Sequence, residues 1–357
     1  MRYQQLVNDY KSITSIIEIE EQILSTLSPE NKSMYKKMIH KNIVIEVYTL
    51  WESFVKSLVY DCFRDYKKFI LGEKFFKQYF KTVQENSFVR KKFLKSISDD
   101  GLEITIETLC HSNNLNAKVL RELFTRITFN VEDLPKHINT SKGLNDKIEN
   151  LRNSSIPPFY FKDEEEIDER NEALSTDDPK FNRYIDTVFG YLNTLIELRN
   201  QVAHSYIITE IYDIGDLKIF AEFIYELCFV LLEYCGSQII KKSTDFGEPI
   251  IKRLYPLKVF MNTSKCKAIL GVNNTSNKSL NKGDTLYLFN NGEGIYKFAN
   301  ITGIQSERKT IEELLPYHAG ALEIWTEGVI RKEHKTFYLY DIVATKNETD
   351  YKYSLLI

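Results

Sequence analysis

The chain has 357 residues, of which 43% are hydrophobic and 27% are charged, and it contains only 14 glycines and 8 prolines. This composition excludes collagen-like, low-complexity and wholly disordered proteins, and the length leaves room for two or three folded domains with a sizeable core. Because 47 Lys and Arg face 50 Asp and Glu, the formal net charge is -3, so any contact with nucleic acid must be local.

Two long amphipathic helices are predicted at the start of the chain. Apolar residues recur at three- and four-residue intervals over residues 3–27 and 31–71, without an internal Pro or Gly, and Ser28-Pro29 separates the two segments. The second segment carries an apolar stripe that includes Trp51 and Phe54. We therefore expect it to be a central helix with both aromatic residues in the core.

The middle of the chain, between Gly72 and Pro179, predicts shorter and more polar helices. The segments are 75–83, 88–97, 104–110 and 118–128, and we interpret the whole region as an insertion between core helices. The acidic run Asp163–Arg170 near its end is typical of a solvated helix or connector rather than of a metal or substrate site. The cluster Arg90–Lys95 places positive charges around two apolar residues, which fits either a solvated helix face or a contact with an RNA backbone.

Two further helices are predicted over 181–203 and 215–240, the second with Asp213 or Asp216 as its N-cap. After Gly247 the pattern changes to short β-rich segments at 258–261, 268–272, 285–289, 295–304, 336–343 and 351–356. The predicted fold class is therefore mainly α with a C-terminal β domain. A helical domain spans 1–246, with its insertion at approximately 72–179, and a small barrel-like β module spans 247–357.

No membrane span, secretory signal, metal site or cofactor is expected, so the expected location is the cytoplasm. The longest apolar stretch, Phe220–Leu232, is interrupted by two glutamates, and the N-terminus lacks the basic start and apolar region of a signal peptide. Five cysteines without a C-x-x-C pair predict reduced thiols. The histidines have no partner at metal-ligand spacing, and no phosphate-binding glycine loop is present.

The most informative stretch reads L-R-N-Q-V-A-H over residues 198–204. On an ideal helix Asn200 and His204 share a face, whereas Arg199 lies about 140° around the helix and roughly 7.5 Å along it from His204. A fixed cation beside an imidazole suits phosphodiester chemistry, because the cation stabilises charge on phosphoryl oxygens while the imidazole transfers protons. The spacing alone also fits an Arg199 paired with Glu197 and a His204 that caps the helix.

Two separated features resemble the HEPN superfamily of all-helical domains. The residues R-N-Q-V-A-H resemble the R-x(4–6)-H motif that ends the third core helix, usually with a polar residue directly after the Arg. The segment V-Y-T-L-W-E-S-F-V-K over 47–56 is similar to the second helix of one HEPN branch, in which an aromatic-Glu-x-Phe pattern recurs. The resemblance covers approximately residues 1–240 without the insertion, and Ser205 stands where the family often has Gly.

The resemblance implies a metal-independent endoribonuclease of the toxin or antiviral-defence type that acts as a homodimer on RNA. Arg199 and His204 carry over as catalytic residues that act on a bond attacked by the RNA 2′-OH, and Asn200 carries over as the polar position. Glu52 matches the acidic position of the second helix, where it has a supporting role such as orienting a motif side chain.

Two alternative functions remain open from the sequence. HEPN domains also serve as non-catalytic nucleotide-binding or dimerising modules, and the intact motif argues against that reading without excluding it. A DNA-binding regulator is disfavoured by the slightly negative net charge and by the lack of a basic recognition helix. An antitoxin or a defence-system protein is compatible with the sequence as a partner.

Overall fold

The computed structural model describes residues 2–83, 87–98, 104–112, 114–159, 179–204, 211–246, 251–254, 256–261, 267–274, 279–290, 294–325 and 339–342. The chain divides into two compact units. The first comprises Met1–Asn139 and Gly143–Val230, and the second comprises Thr140–Lys142 and Leu231–Ile357.

The first unit begins with the two predicted helices, α1 (Arg2–Thr26) and α2 (Pro29–Asp65). Ser28 has an extended backbone directly before Pro29, and proline is well suited to the first helical position because its missing N–H has no intrahelical partner there. Trp51 of α2 is completely buried, and its indole N–H donates a hydrogen bond to the carbonyl of Leu115 at 2.9 Å. The predicted central helix is confirmed, although it ends at Asp65 and a separate short helix, α3 (Lys67–Ile70), follows.

The insertion is helical, as the sequence predicts. Its helices are α4 (Glu73–Thr82), α5 (Phe88–Ser98), α6 (Ile106–Leu109), α7 (Ala117–Arg126), α8 (Leu134–Thr140) and α9 (Lys142–Arg152), with a 3-10 helix at Val131–Asp133. The last two α-helices are not predicted from the sequence, because their windows are short and polar apart from a few anchors such as Leu144, Ile148 and Leu151, which are buried. The acidic run at 163–170 lies outside the described residues.

Two long helices complete the helical part, α10 (Pro179–His204) and α11 (Ile214–Asp245), close to the predicted bounds. Tyr191 of α10 packs against Phe223 of α11, with ring centroids 5.6 Å apart, and Tyr10 of α1 stacks on Tyr225 at 4.1 Å. Asp213 directly precedes α11, but its carboxylate forms an ion pair with Lys36 at 2.8 Å. Among the described helices, none is both long and apolar enough to cross a bilayer.

The second unit contains an antiparallel sheet. The described strands are β1 (Ile251–Leu254), β2 (Pro256–Met261), β3 (Lys267–Asn273), β4 (Leu280–Asn281), β5 (Thr285–Asn290), β6 (Ile295–Ser306), β7 (Lys309–Ile311), β8 (Glu313–Leu314), β9 (Ala319–Trp325) and β10 (Leu339–Ile342). The main sheet has the order β1-β10-β5-β6-β9-β3-β2, β7 pairs with β6, and β4 pairs with β8 separately. The predicted strand at 351–356 lies outside the described residues.

The sheet is not the barrel-like module that the sequence predicts. Among the described strands, β1 and β2 end the strand order without pairing with each other, so the sheet stays open. Among the strands that the structure describes, the first half of β6 pairs with β5 and with no other strand. On the other side Ser237 Oγ accepts the N–H of Tyr296 at 3.1 Å, and the Glu233 carboxylate accepts the N–H of Phe298 at 2.9 Å. Side chains of a helix therefore accept hydrogen bonds from backbone N–H groups of β6 that would donate to a neighbouring strand in a closed barrel.

The boundary between the compact units lies inside α11, between Val230 and Leu231. The C-terminal part of this helix belongs to the unit that holds the sheet, and the Lys297 side chain of β6 donates to the carbonyl of Thr140 at 3.1 Å. At the end of a helix the last carbonyl groups lack an intrahelical donor, so a buried ammonium group that donates to one of them gives both groups a hydrogen-bond partner. The domain boundary expected at residue 247 stays a prediction of the sequence.

Candidate active site

Arg199 lies in the last turns of α10, where this helix packs against α2. Its guanidinium carbon is 5.2 Å from the centroid of the Tyr48 ring, within the range of a cation–π contact. One terminal nitrogen, Nη1, also donates a hydrogen bond to Oδ1 of Asn200 at 3.2 Å. Arg199 is partly exposed. The guanidinium is thus supported on an aromatic ring and remains open to solvent on another side.

Asn200 contacts Arg199, the residue directly before it. The resemblance implies that Asn200 is the polar position of the motif. In the structure its amide oxygen accepts from Arg199, which leaves its amide N–H₂ group available for another acceptor. Arg199 does not pair with Glu197. That carboxylate accepts a hydrogen bond from Gln201 instead, at 3.4 Å.

His204 is the final residue of α10. Its side chain lies outside the described part of the structure, as do residues 205–210. The position of its Cα on the helix follows from geometry alone. Five residues along an α-helix correspond to roughly 7.5 Å of axial rise, so the backbones of Arg199 and His204 are about 1.4 turns apart.

Glu52 lies one helical turn after Tyr48 on α2. Its carboxylate forms an ion pair with Lys56 at 2.8 Å, and both side chains are about one quarter exposed, at 28% and 24%. The predicted supporting residue is therefore placed beside the ring that carries Arg199, with its own charge compensated by a lysine. A contact of Glu52 with a motif side chain is not among the described hydrogen bonds or ion pairs.

Tyr48 is a candidate site residue that was not predicted from the sequence. It is 4% exposed, and its hydroxyl is buried. Burial raises the pKa of Tyr48, the negative charge of Glu52 raises it further, and the positive charge of Arg199 lowers it. The phenol therefore stays neutral, so the Tyr48 ring contacts the guanidinium without placing a negative charge beside it.

His40, also missed, lies two turns before Tyr48 on the same helix. It is 1% exposed, and its Nδ1 accepts the backbone N–H of Tyr212 at 3.2 Å. Burial lowers the pKa of His40, so the ring is neutral, and its buried Nε2 has no partner among the described residues. This hydrogen bond joins α2 to the chain that follows the motif, as does the ion pair between Lys36 and Asp213.

The missed residues have a shared signal in the sequence. The positions 40, 44, 48, 52 and 56 follow one another at intervals of four, the spacing of a single ridge on a helix surface. This ridge carries His40, Tyr48 and Glu52. The second helix is expected to be central, so polar groups along one of its ridges indicate the face that packs against the helix bearing the motif.

The described residues contain no cluster of three or more His, Cys, Asp or Glu side chains arranged to hold a metal ion. The described cysteines are free thiols, and all four are buried. Burial raises the pKa of the Cys110 thiol to about 12, so it stays protonated. The described groups in contact with the Arg199 guanidinium are thus the amide of Asn200 and the ring of Tyr48, an arrangement that suits charge stabilisation.

Comparison with known protein families identifies the family of the helical part. The sequence model of the RiboL-PSP-HEPN family matches residues 5–236, which include most of α1, all of α2, the insertion and α10, and most of α11. No curated protein and no solved structure matches the chain. The match covers more than half of the chain and contains both the Arg199 motif and the α2 ridge that supports it. The chain therefore belongs to the RiboL-PSP-HEPN family, within the HEPN superfamily.

Proposed function

We propose that the protein is a metal-independent endoribonuclease whose catalytic residues are Arg199 and His204. The observation that carries the proposal is the guanidinium of Arg199, which is supported on the ring of Tyr48 and partly exposed, five residues before a histidine on the same helix. A cation held in a fixed place stabilises charge that develops on a phosphoryl group, since little reorganisation is needed when the reaction occurs.

In the proposed reaction the RNA 2′-oxygen attacks the adjacent phosphorus. A new bond between the 2′-oxygen and phosphorus forms, and the bond between phosphorus and the 5′-oxygen breaks. His204 takes the proton of the 2′-OH or gives one to the departing 5′-oxygen, because an imidazole titrates near neutral pH. Arg199 stabilises the negative charge on the phosphorane oxygens. The products are a 2′,3′-cyclic phosphate and a free 5′-hydroxyl.

Asn200 and Glu52 have positioning roles in this proposal. Asn200 accepts a hydrogen bond from Arg199 and thereby restricts the rotation of the guanidinium. Glu52 acts at a greater distance, since its negative charge lies beside Tyr48 and is compensated by Lys56. We expect substitutions of Asn200 to reduce cleavage more than substitutions of Glu52.

The test is incubation of purified protein with total RNA beside the Arg199→Ala and His204→Ala variants. Loss of proton transfer is expected to reduce cleavage by roughly 10²–10⁴-fold in the His204→Ala variant. Circular dichroism must show an unchanged helical content in both variants. Wild-type protein that leaves RNA intact would support the non-catalytic nucleotide-binding or dimerising module instead.

We further propose that the protein acts as a homodimer. Exposed apolar side chains on α1 and α2 support this proposal, because isolated monomers seldom expose such groups together. They are Ile16, Ile19, Ile23, Met34 and Met38, which are between 36% and 65% exposed. Light scattering at micromolar concentration should give twice the monomer mass, and Met34→Gln with Met38→Gln should shift the mass toward the monomer.

The biological role that we propose is that of a cytoplasmic toxin or antiviral-defence effector. An active endoribonuclease that cuts cellular RNA halts growth unless a partner such as an antitoxin restrains it. Induced expression in cells should therefore arrest growth with the wild-type chain but not with the His204→Ala variant. Growth arrest by both the wild-type chain and the His204→Ala variant would show that toxicity does not depend on RNA cleavage.

A further inference from the structure

Positive charge is concentrated in one part of the helical insertion. Residues 67–98 contain nine Lys and Arg against two Asp and Glu, although the chain as a whole has a formal net charge of -3. Such segregation produces a local positive potential on a protein that is otherwise slightly acidic. The segment corresponds to α3, α4 and α5.

The packing of α4 and α5 places these charges on the outside. The two helices join through aromatic rings, with Tyr79 stacked on Phe93 at 3.8 Å and Arg90 lying over the ring of Phe80 at 4.7 Å. The lysines on their other faces are exposed, namely Lys74, Lys77 and Lys81 of α4 and Lys91, Lys92 and Lys95 of α5. Among the described residues, no carboxylate forms an ion pair with Lys77, Lys81 or Lys91.

We propose that the exposed lysines of α4 and α5 form a platform that binds the sugar–phosphate backbone of single-stranded RNA. This inference rests on the proposed ribonuclease function and adds a substrate-binding site outside the catalytic motif. Exposed lysine ammonium groups bind phosphates with release of counterions, which makes the binding independent of base sequence. Phe88, at the start of α5, is 78% exposed and offers a ring on which a base can stack.

The position of the platform sets the length of RNA that uses it. Phe75 of α4 stacks on Phe63 of α2, with centroids 5.1 Å apart. Phe63 lies fifteen residues after Tyr48 on the same helix, a distance of about 22 Å along the axis. A strand with stacked bases, at 3.4 Å for each nucleotide, needs roughly seven nucleotides to join the platform to Arg199. Shorter substrates reach the motif without the platform.

An anionic membrane is the other polyanionic surface that such lysines fit. Helices that lie on a membrane insert their apolar face into the lipid. Here most of the apolar surface of α4 and α5 is used in packing, since Phe75, Tyr79 and Phe93 are completely buried, although Phe88 and Leu94 of α5 are exposed. The arrangement therefore favours RNA.

The test compares two variants with the same change in net charge. The platform variant combines Lys77→Gln, Lys81→Gln, Lys91→Gln and Lys92→Gln. The control variant combines Lys11→Gln, Lys37→Gln, Lys142→Gln and Lys309→Gln, which are also exposed but scattered. Glutamine retains the helix propensity of lysine, so circular dichroism should be unchanged.

Binding is measured by fluorescence anisotropy with a labelled 20-nucleotide RNA at several salt concentrations. We expect the platform variant to bind at least about 10-fold more weakly at low salt. The slope of log K against log salt concentration should become less steep by about 0.7 for each lysine that contacts a phosphate. For the same RNA its KM should rise with kcat unchanged, and cleavage of a trinucleotide should equal that of the wild type. The control variant should match the wild type throughout.

The outcomes separate the two proposals. If the wild type cleaves RNA and the platform variant binds and cleaves the 20-nucleotide RNA equally well, the platform is wrong while the ribonuclease stands. If the wild type binds RNA through these lysines but cleaves none, the platform stands and the ribonuclease fails. An equal loss of RNA binding in the platform and control variants would overturn the platform, because binding would then depend on the net charge of the protein. Loss of binding only to phosphatidylserine vesicles would overturn it in favour of a membrane.

Discussion

The guanidinium of Arg199 lies over the ring of Tyr48, 5.2 Å from its centroid, although the two residues are separated by most of the helical domain in sequence. The contact joins α10, which ends in the motif, to the central helix α2. A cation–π contact of this kind restrains the side chain without neutralising its charge. Arg199 is therefore held in place while its charge stays available to a phosphate.

The first prediction concerns Tyr48 as a positioning residue. Tyr48→Leu removes the ring and should lower kcat for RNA cleavage by about 3- to 30-fold, the range expected for a partly desolvated cation–π contact. Tyr48→Phe retains the ring and should cleave at close to the wild-type rate. In an Arg199→Ala background, Tyr48→Leu should cause no further loss, because the contact is already absent.

A matched control is available on the same helix. Phe54 is 6% exposed, similar to Tyr48, and no cation lies over its ring among the described residues. Phe54→Leu should lower the free energy of unfolding without changing kcat in the folded fraction. Equal losses of kcat in Tyr48→Leu and Phe54→Leu would show that the ring of Tyr48 acts only through stability.

The second prediction is that cleavage is independent of divalent metal ions. The proposed reaction uses the RNA 2′-OH as nucleophile and assigns charge stabilisation to Arg199, so EDTA should leave the rate unchanged. A substrate with a 2′-deoxy nucleotide at the cut site should resist cleavage. The ends of the products distinguish the mechanisms, because magnesium-dependent cleavage with 3′-hydroxyl ends would indicate a different class of nuclease.

The third prediction is a pH dependence of stability caused by His40. Burial lowers its pKa in the folded chain, so the unfolded chain binds the proton more readily. The stabilisation is complete above the unfolded-state pKa near 6.5 and is lost as the pH falls through the lower folded-state value. Protonation also removes the acceptor for the N–H of Tyr212. The slope cannot exceed about 1.4 kcal/mol for each pH unit.

Urea unfolding between pH 5 and pH 7.5 measures this effect. His40→Asn should be less dependent on pH than the wild type over this range, since asparagine offers an acceptor that does not titrate. His111 is exposed, and His111→Asn should keep the wild-type dependence. The assignment to His40 fails if His40→Asn and the wild type lose stability in parallel as the pH falls.

The fourth prediction compares two buried serines of α11. Ser237 accepts the N–H of Tyr296 in the sheet, and Ser237→Ala leaves this buried donor without a partner, at a cost of about 1–3 kcal/mol. Among the described residues, Ser243 donates to the carbonyl of Ile240 within its own helix, so Ser243→Ala should cost less than about 1 kcal/mol. Midpoints of urea unfolding measure both. Equal costs would mean that Ser237 is not needed to satisfy the edge of β6.

Much of the secondary structure follows from local patterns. The helical hairpin of α1 and α2 is encoded by three- and four-residue apolar spacing on either side of Ser28-Pro29, and the bounds of α10 agree within two residues at each end. Short polar helices such as α8 and α9 lack that spacing, because only a few of their residues are buried. The open form of the sheet could not be predicted from local patterns either. At the edge of β6 the backbone N–H of Tyr296 donates to a side chain of α11 rather than to a neighbouring strand.

The sequence by itself determined the helical class, the change to β structure after residue 247 and the motif that holds Arg199 and His204, because periodicity, turn chemistry and residue spacing are local. Only the tertiary structure decided that Tyr48 supports Arg199 and that His40 binds the chain after the motif. Both contacts join residues about 150 or more positions apart. Such contacts depend on how α2 and α10 pack, and the energy that selects this packing is shared among many buried side chains rather than encoded in any single segment.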